Sequence, residues 1–312
     1  MDKISIMRTI NYRYYLVFLF VLTLLTGEIN AQQEPMFTQY MFNTLSINPA
    51  IAGTKKSINA NSLSRFQWVG MEGSPKTFSV GLHSPVNNRK IGVGLTILSD
   101  KIGPVTNTHI SLNYAYRLII TEDLTLSMGI KGGISSYYAG LSHLDVIDNE
   151  DPQFIDNEKK LSPNLGFGFY LYHERFYVGF AVPKLLETSI DEEYAESFTD
   201  LKRHYYIHAG YTMQLSSEWV FKPSLLTKAV SGSPTSNDIT LQFLYNNKIW
   251  IGGMYRLGDA AGLFVDVAIN RQLMLGYGYD FSLNSMMGAN SGSHELMIIY
   301  EFDIRRKSIP LF

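Results

Sequence analysis

The chain has 312 residues, of which 46% are hydrophobic and only 17% are charged, and its formal net charge is −2. This balance gives no sign of a nucleic-acid-binding surface, which would need an excess of basic residues. Because the sequence contains no cysteine, disulfides, thiolate metal sites and a cysteine nucleophile are excluded. Tyr (20), Phe (18) and Gly (25) are abundant, and the aromatic share is typical of strands rather than of a helical enzyme.

The first 31 residues have the layout of a secretory signal peptide. Basic residues precede an apolar run over 14–25, and a small residue, Ala31, stands before Gln32. The run is shorter than the ~20 residues that a membrane-spanning helix needs. We therefore expect residues 1–31 to be a cleaved signal peptide rather than a transmembrane anchor.

After Gln32 the sequence changes to a two-residue period, the signature of strands with two different faces. In the segment 105–118, the apolar Ile110, Leu112 and Tyr114 alternate with the polar Ser111 and Asn113. Most of the segments with this pattern have about the 9–11 residues that a tilted strand needs to cross a bilayer. We predict fourteen of them: 58–69, 77–84, 90–100, 105–118, 123–138, 162–172, 175–183, 203–215, 218–230, 235–246, 248–257, 260–270, 272–282 and 294–303.

The connections between the predicted strands alternate in length. Short ones lie between longer ones, and the two longest, 139–161 and 184–202, are rich in acidic residues. Short turns on one rim and long loops on the other are the plan of outer-membrane barrels. Two soluble β-sandwiches would show similar strands, but an apolar face on nearly every strand favours a closed barrel in lipid.

We therefore predict an all-β fold, an outer-membrane antiparallel β-barrel of about 14 strands. The barrel would cover 58–303. A short N-terminal segment, 32–57, would precede the first strand as a plug or as a periplasmic segment, and a C-terminal tail, 304–312, would follow the last strand.

The sequence shows no catalytic or metal-binding constellation, so we expect no enzyme activity and no cofactor. His204 and His208 are four residues apart, which on a strand separates them by roughly 13 Å. The acidic loop at 139–161 lacks the spacing of an EF-hand and is better interpreted as solvated surface. Glycine pairs within strands, such as Gly132-Gly133, indicate bends or close packing inside a barrel rather than a phosphate-binding loop.

A series of short motifs between residues 37 and 104 is more specific than strand alternation. They are Phe37-Thr38-Gln39-Tyr40-Met41-Phe42-Asn43, Asn48-Pro49-Ala50 with Ala52-Gly53, Arg65-Phe66-Gln67-Trp68-Val69-Gly70 with Gly73-Ser74-Pro75, and Asp100-Lys101-Ile102-Gly103-Pro104. Asn-Pro and the following Gly are turn chemistry, since Pro fixes φ and Gly permits a positive φ. The aromatic residues of the first motif form an apolar cluster that must be buried in the lumen, at the periplasmic rim or on a partner.

This combination of motifs resembles the PorP/SprF family of type IX secretion system membrane proteins of Bacteroidetes. The match covers about 32–138, and Thr38 and Thr44 stand where the family more often has Ser and Pro. The resemblance implies that the motif residues are structural or partner-binding. They are Phe37, Gln39, Tyr40, Asn43, Asn48, Pro49, Gly53, Arg65, Gln67, Trp68, Gly70, Gly73, Pro75, Asp100, Gly103 and Pro104.

The resemblance also implies a non-enzymatic outer-membrane component that assists export or surface attachment of cargo. This cargo would carry a type B C-terminal domain, as adhesins do, including those of gliding motility. The implied partners are the periplasmic ring and translocon of the type IX machinery, the secreted cargo and the lipid bilayer.

Two further expectations come from the residues themselves. Arg65, Gln67 and Asp100 are candidates for a polar network near the outer rim, and the loops 139–161 and 184–202 are candidates for an extracellular cargo surface. The pattern leaves open an outer-membrane diffusion or uptake channel of the fatty-acid-transporter or porin type, which would need an open or gated lumen. A lipase-like or protease-like enzyme is disfavoured because no Ser/His/Asp set is recognisable.

Overall fold

The computed structural model describes residues 34–55, 57–86, 90–143, 157–187, 202–231 and 233–302. Short helical turns span Tyr40–Phe42, Thr44–Ile47, Pro49–Ile51 and Leu141–His143. The strands within these ranges are β1 (Asn59–Phe66), β2 (Lys76–Val86), β3 (Ile91–Ile102), β4 (Val105–Ile119), β5 (Thr125–Ala139), β6 (Glu158–Tyr172), β7 (Phe176–Val182), β8 (His204–Tyr211), β9 (Met213–Gln214), β10 (Trp219–Val230), β11 (Ser233–Tyr245), β12 (Ile249–Arg256), β13 (Ala260–Ala268), β14 (Leu273–Ser282) and β15 (Ser293–Glu301).

The strands form one antiparallel sheet that closes on itself. β1 pairs with both β2 and β15, and the remaining strands follow in chain order until β10 pairs with β11. β8 and the two-residue β9 both pair with β10 and together occupy one position in the wall. The molecule is therefore a closed barrel of fourteen strands, and the predicted fold is confirmed.

The two faces of the wall are inverted relative to a soluble protein. On β4, Ile110, Leu112 and Tyr114 are 50%, 69% and 43% exposed, whereas Asn113 and Arg117 are 3% and 4% exposed. On this strand apolar side chains thus face outward and polar side chains face the lumen, as in a membrane-spanning barrel. The assignment of faces that the alternation predicted for this strand is confirmed.

The two ends of the barrel differ in their connections. The short connections 87–90, 120–124, 173–175, 215–218, 246–248 and 269–272 lie at one end, which we call the short-turn end. The other end, the long-loop end, carries the connections 67–75, 140–157, 183–203 and 283–292 together with three turns of two or three residues. β1 begins and β15 ends at the short-turn end.

Several sequence predictions concern residues outside the described ranges. The predicted signal peptide and the C-terminal tail are among them, as is most of the two acidic loops. In the ranges that are described, no helix is long and apolar enough to cross a membrane.

Candidate functional site

Residues 34–55, which we call the lumen segment, lie inside the barrel before β1 begins. Tyr40, Asn48 and Ala52 are at most 1% exposed although they belong to no strand. Hydrogen bonds join the segment to inward-facing side chains and backbone carbonyls on β1, β2, β4, β5, β6, β8, β10, β14 and β15. The wall therefore contacts the segment on all sides.

The lumen segment runs along the interior from one end of the barrel to the other. Glu34 Oε1 lies 2.5 Å from Nζ of Lys184, which follows β7 at the long-loop end. Burial alone raises the pKa of Glu34, but the attraction of Lys184, His204 and His109 together outweighs it, and the net pKa lies below its usual value. At the other end, the Gly53 amide donates to His83 Nδ1 at 3.1 Å, and the Arg117 guanidinium donates to the Gly53 carbonyl.

The part of the segment nearer the long-loop end is held by a charged cluster, which consists of Arg65, Asp280 and Glu295. Arg65 lies 2.6 Å from Asp280 and 2.5 Å from Glu295, and all three side chains are at most 3% exposed. Glu295 accepts the backbone amides of Thr38 at 2.6 Å and Gln39 at 3.0 Å, and the Thr38 hydroxyl donates to Asp280 at 2.5 Å. Removing one partner of a buried charge is strongly destabilising. The cluster therefore fixes this part of the segment.

The residues beside the charged cluster extend this contact. With its nitrogen toward β13, the Gln39 amide donates to Asp266 Oδ1 at 3.0 Å and accepts from the Gly278 amide at 2.9 Å. The orientation of an amide is chosen by its hydrogen bonds, and this one satisfies both groups. The Tyr40 hydroxyl donates to Ser224 at 3.2 Å. The aromatic rings of this motif pack in one buried cluster with residues of the wall: Phe37, Tyr40, Met41, Ile47, Leu63, Tyr206, Leu226 and Phe264.

The part of the segment nearer the short-turn end packs on a row of small residues on the inner wall. Register pairing places Gly92, Ala115, Gly129, Gly168 and Ala181 side by side on five successive strands, β3 to β7. All five are buried on the lumen face. Because none has a side chain beyond Cβ, this small-residue row forms a shallow recess in a wall otherwise lined by larger side chains.

The Asn48–Gly53 turn packs directly on the small-residue row. Added Cβ atoms at the three glycines of the row would overlap atoms of the turn: Gly92 against Ala52, Gly129 against Ala50, and Gly168 against Asn48. Glycine is required here because only a residue without Cβ lets two backbones approach so closely. Close backbone packing therefore adds to the hydrogen bond that Arg117 of the wall donates to the Gly53 carbonyl.

Asn48 and Gly53 show why the turn has this sequence. Asn48 caps the short helical turn by accepting the Ala50 amide at 2.9 Å, and it donates to the Phe169 carbonyl at 3.0 Å. Its Nδ2 also lies 3.0 Å from His208 Nε2. Pro49 occupies the first helical position, where its missing N–H costs nothing, and Gly53 has a φ of 68°, which favours glycine.

A second group of motif residues lies at the long-loop end of the barrel. We call this group the rim cluster, and it consists of Gln67, Trp68, Gly70, Gly73, Pro75, Gly103 and Pro104. Its loops are joined by backbone hydrogen bonds, in which the Gly103 amide donates to the Gly73 carbonyl at 2.8 Å and the Gln67 amide to the Pro75 carbonyl at 2.9 Å. Positive φ values occur at four of its residues: Trp68, Gly70, Gly73 and Gly103. Pro104 belongs to the same turn as Gly103, and its carbonyl accepts the amide of residue 140 at 3.1 Å.

The prediction that Arg65, Gln67 and Asp100 form one polar network is wrong, because these residues have other partners. Arg65 and Asp100 stand in one register row, but Thr77 of β2 lies between them. Thr77 donates to Asp100 at 2.6 Å, while Arg65 turns toward Asp280 and Glu295 on the other side of β1. Gln67 contributes its backbone to the rim cluster. The motif residues are thus divided between the lumen and the rim.

Sequence reasoning missed the wall residues that receive the lumen segment. Gly92, Gly129 and Gly168 were not singled out, nor were Asp280 and Glu295. A signal was present, since Gly129 shares the parity of the lumen-facing Ser127 and Lys131 on β5. Within the described ranges, no group of three or more His, Asp or Glu side chains could hold a metal ion.

The fold is similar to solved channel and porin structures, at low sequence identity. A Pseudomonas aeruginosa FadL homologue is 11% identical, with 83% of this chain and 94% of that chain covered and a TM-score of 0.49. The CymD monoaromatic hydrocarbon channel is 10% identical, with 85% and 94% covered and a TM-score of 0.49. For the KdgM porin the values are 7%, 78%, 99% and 0.38. At these values the likeness carries no argument about function, and no curated protein matches the sequence.

A family model gives the more specific result. The model described as type IX secretion system membrane protein PorP/SprF matches residues 29–300. This range includes the lumen segment, the rim cluster and nearly all of the barrel wall, well beyond the motifs that suggested the resemblance. The chain therefore belongs to the PorP/SprF family of type IX secretion system membrane proteins.

Proposed function

We propose that this outer-membrane barrel assists the export or surface attachment of cargo bearing a type B C-terminal domain, such as adhesins. Membership of the PorP/SprF family supports a place in the type IX machinery, and its periplasmic ring and translocon are the proposed partners. Within this proposal the barrel is a secretion accessory and not a route for diffusing solutes. The lumen segment is the observation that carries this choice.

The lumen segment takes the place that water would have in an open channel. Inward-facing side chains of the wall bind its backbone: Ser127 donates to the Ala50 carbonyl at 2.7 Å and Lys131 to the Ser46 carbonyl at 2.9 Å. Lys228 donates to the Glu34 carbonyl at 3.2 Å. A diffusion channel needs these polar groups to line a hydrated path, so their use by the segment favours a closed barrel.

The proposal includes export through the signal peptide at 1–31 and a defined orientation. The short-turn end would face the periplasm and meet the secretion ring, while the loops 139–161 and 184–202 would face outward toward cargo. Sequencing the N-terminus of the mature protein tests the first part, with Gln32 as the expected first residue. A mature chain that still begins at Met1 would contradict it.

Deletion of the gene in its native host tests the cargo role. Proteins of the cell surface, the medium and the periplasm are quantified in the parent, in the deletion strain and in a strain complemented with the full chain. We expect proteins with a type B C-terminal domain to leave the surface fraction on deletion and to return on complementation. If no such protein changes its fraction, the proposed function is wrong.

A further inference from the structure

Three lysines lie on the outer surface of the wall at the long-loop end. Lys76 of β2 pairs in register with Lys101 of β3, and the same row continues through Thr106 and Tyr138 to Lys159 of β6. All three lysines are exposed. We call these five residues the outer lysine row.

The next outward row toward the membrane is rich in hydroxyl groups. It consists of Phe78, Ser99, Thr108, Ser136 and Leu161, which are register partners on the same five strands. The hydroxyls of Ser99 and Thr108 lie 3.2 Å apart. Ser99 is the outward neighbour of Lys101 on β3, and the hydroxyl residues of β4 and β5 lie between the lysines of β3 and β6, whereas Phe78 and Leu161 are the outward neighbours of Lys76 and Lys159.

The wall becomes apolar immediately below these two rows. Ile97, Ile110 and Ile134 form the following outward row, and Ile110 and Ile134 are 50% and 58% exposed. Such side chains mark the hydrocarbon region of a membrane barrel. The outer lysine row thus lies at the level of lipid headgroups, where long lysine side chains reach toward the polar layer.

The charges of the row are not balanced within the described protein. Lys76 and Lys101 stand directly opposite each other on neighbouring strands, an arrangement of like charges that is destabilising. Neither of the two rows contains a carboxylate. The ion pairs among the described residues use Arg65, Lys184 and Arg256 as their cations instead. An external anion would remove this repulsion.

We propose that the outer lysine row binds the phosphate groups of lipopolysaccharide headgroups in the outer leaflet. Phosphate oxygens accept hydrogen bonds both from ammonium groups and from the hydroxyls beside them. Lys101 and Lys159 are three strand positions apart, about 14 Å, so the row accommodates a headgroup with more than one phosphate. The site depends on the orientation given under Proposed function, with the long-loop end facing outward.

The opposite side of the same rim has a different surface. Tyr255, Leu257 and Phe281 of the β12–β14 region are 48%, 42% and 44% exposed there, and none carries a charge. The lysine row is therefore a local site on β2–β6 rather than part of a uniform basic belt.

Native mass spectrometry of the full-length protein in detergent tests the proposal. Diphosphorylated lipid A, its dephosphorylated counterpart and inorganic phosphate are added separately, and bound lipid is counted. The test variant carries Lys76→Gln, Lys101→Gln and Lys159→Gln. The matched control carries Lys90→Gln, Lys248→Gln and Arg271→Gln, three exposed cations at the short-turn end. Resistance of the folded barrel to SDS verifies that each variant is folded.

We expect the wild type and the control to bind diphosphorylated lipid A equally, and the test variant to bind it at least about tenfold more weakly. Dephosphorylated lipid A should bind the wild type no better than the test variant. Equal binding of diphosphorylated lipid A by the wild type and the test variant would overturn the site, and displacement by inorganic phosphate at equal concentration would overturn the lipid as its source. Because binding in detergent does not depend on orientation in the membrane, failure of the site remains distinguishable from failure of the proposed orientation and function.

Discussion

The two ends of the lumen segment are held in different ways. Near Thr38 the charged cluster, whose ion pairs lie within the wall, binds the segment through charge-assisted hydrogen bonds in which its carboxylates accept backbone amides and the Thr38 hydroxyl. Near Asn48 the small-residue row receives a turn by close backbone packing. The first contact depends on a few charged partners, whereas the second combines hydrogen bonds with a close approach that requires the absence of side chains on the wall. Together the two contacts fix the position of the segment along the barrel axis and its rotation about that axis.

The largest effect is expected at the charged cluster. Arg65→Met leaves Asp280 and Glu295 buried without their cation, a loss that in proteins costs about 3–5 kcal/mol. The barrel should unfold at a clearly lower temperature on heated SDS gels. Adding Glu295→Gln to Arg65→Met removes one uncompensated charge and should recover part of the loss. A single variant as heat-resistant as the wild type would show that the cluster does not hold the segment.

A smaller effect is expected at the small-residue row. Gly129→Ala places a Cβ where Ala50 lies, so the turn must move, at a cost of about 1–3 kcal/mol. Limited proteolysis should then cleave within 34–55 faster than in the wild type. Gly132→Ala is the matched control on the same strand. A Cβ added at Gly132 would lie 3.8 Å from Leu165 Cδ2, an ordinary van der Waals contact. If both variants are cleaved at the same rate, close packing on the row is not what secures the turn.

The smallest effect is expected at the start of the segment. Glu34→Gln removes the ion pair with Lys184, in which both side chains are partly exposed. The substitution should lower the free energy of unfolding by less than about 1 kcal/mol. Since the pKa of Glu34 is lowered in the folded protein, its contribution is present above the ordinary carboxylate pKa of about 4.3 and declines as the pH falls below it. Protease protection of the wild type should therefore be equal at pH 7 and pH 5 and weaker at pH 3. In the Glu34→Gln variant this pH dependence should be reduced, and an unchanged profile would exclude Glu34 as its source.

The fold was predictable because the wall repeats a simple rule. Residues such as Leu112 and Asn113 differ in polarity at every step, and the alternation gave both the strand number and the two faces. The strand bounds differ, as in β6, which begins at Glu158 rather than at residue 162, and the predicted strand 203–215 is divided into β8 and β9. These bounds depend on pairing between strands that a single segment does not reveal.

The site was only partly predictable, because its partners are distant in sequence. Arg65 is 215 residues from Asp280 and 230 residues from Glu295. Gly92 and Gly129 become neighbours of one turn only through the register of β3, β4 and β5. The motifs identified one half of each contact, namely residues of the lumen segment and Arg65 of β1. The other half depends on barrel closure and register, which local patterns do not encode.

Single-channel recording in planar bilayers tests the central claim that the lumen segment closes the barrel. The full-length protein is compared with a variant that lacks residues 34–55 and with protein-free bilayers. Our account predicts no steady, large current from the full-length protein and a measurable current from the shortened variant. A steady, large current from the full-length protein would contradict the account and support a diffusion or uptake channel.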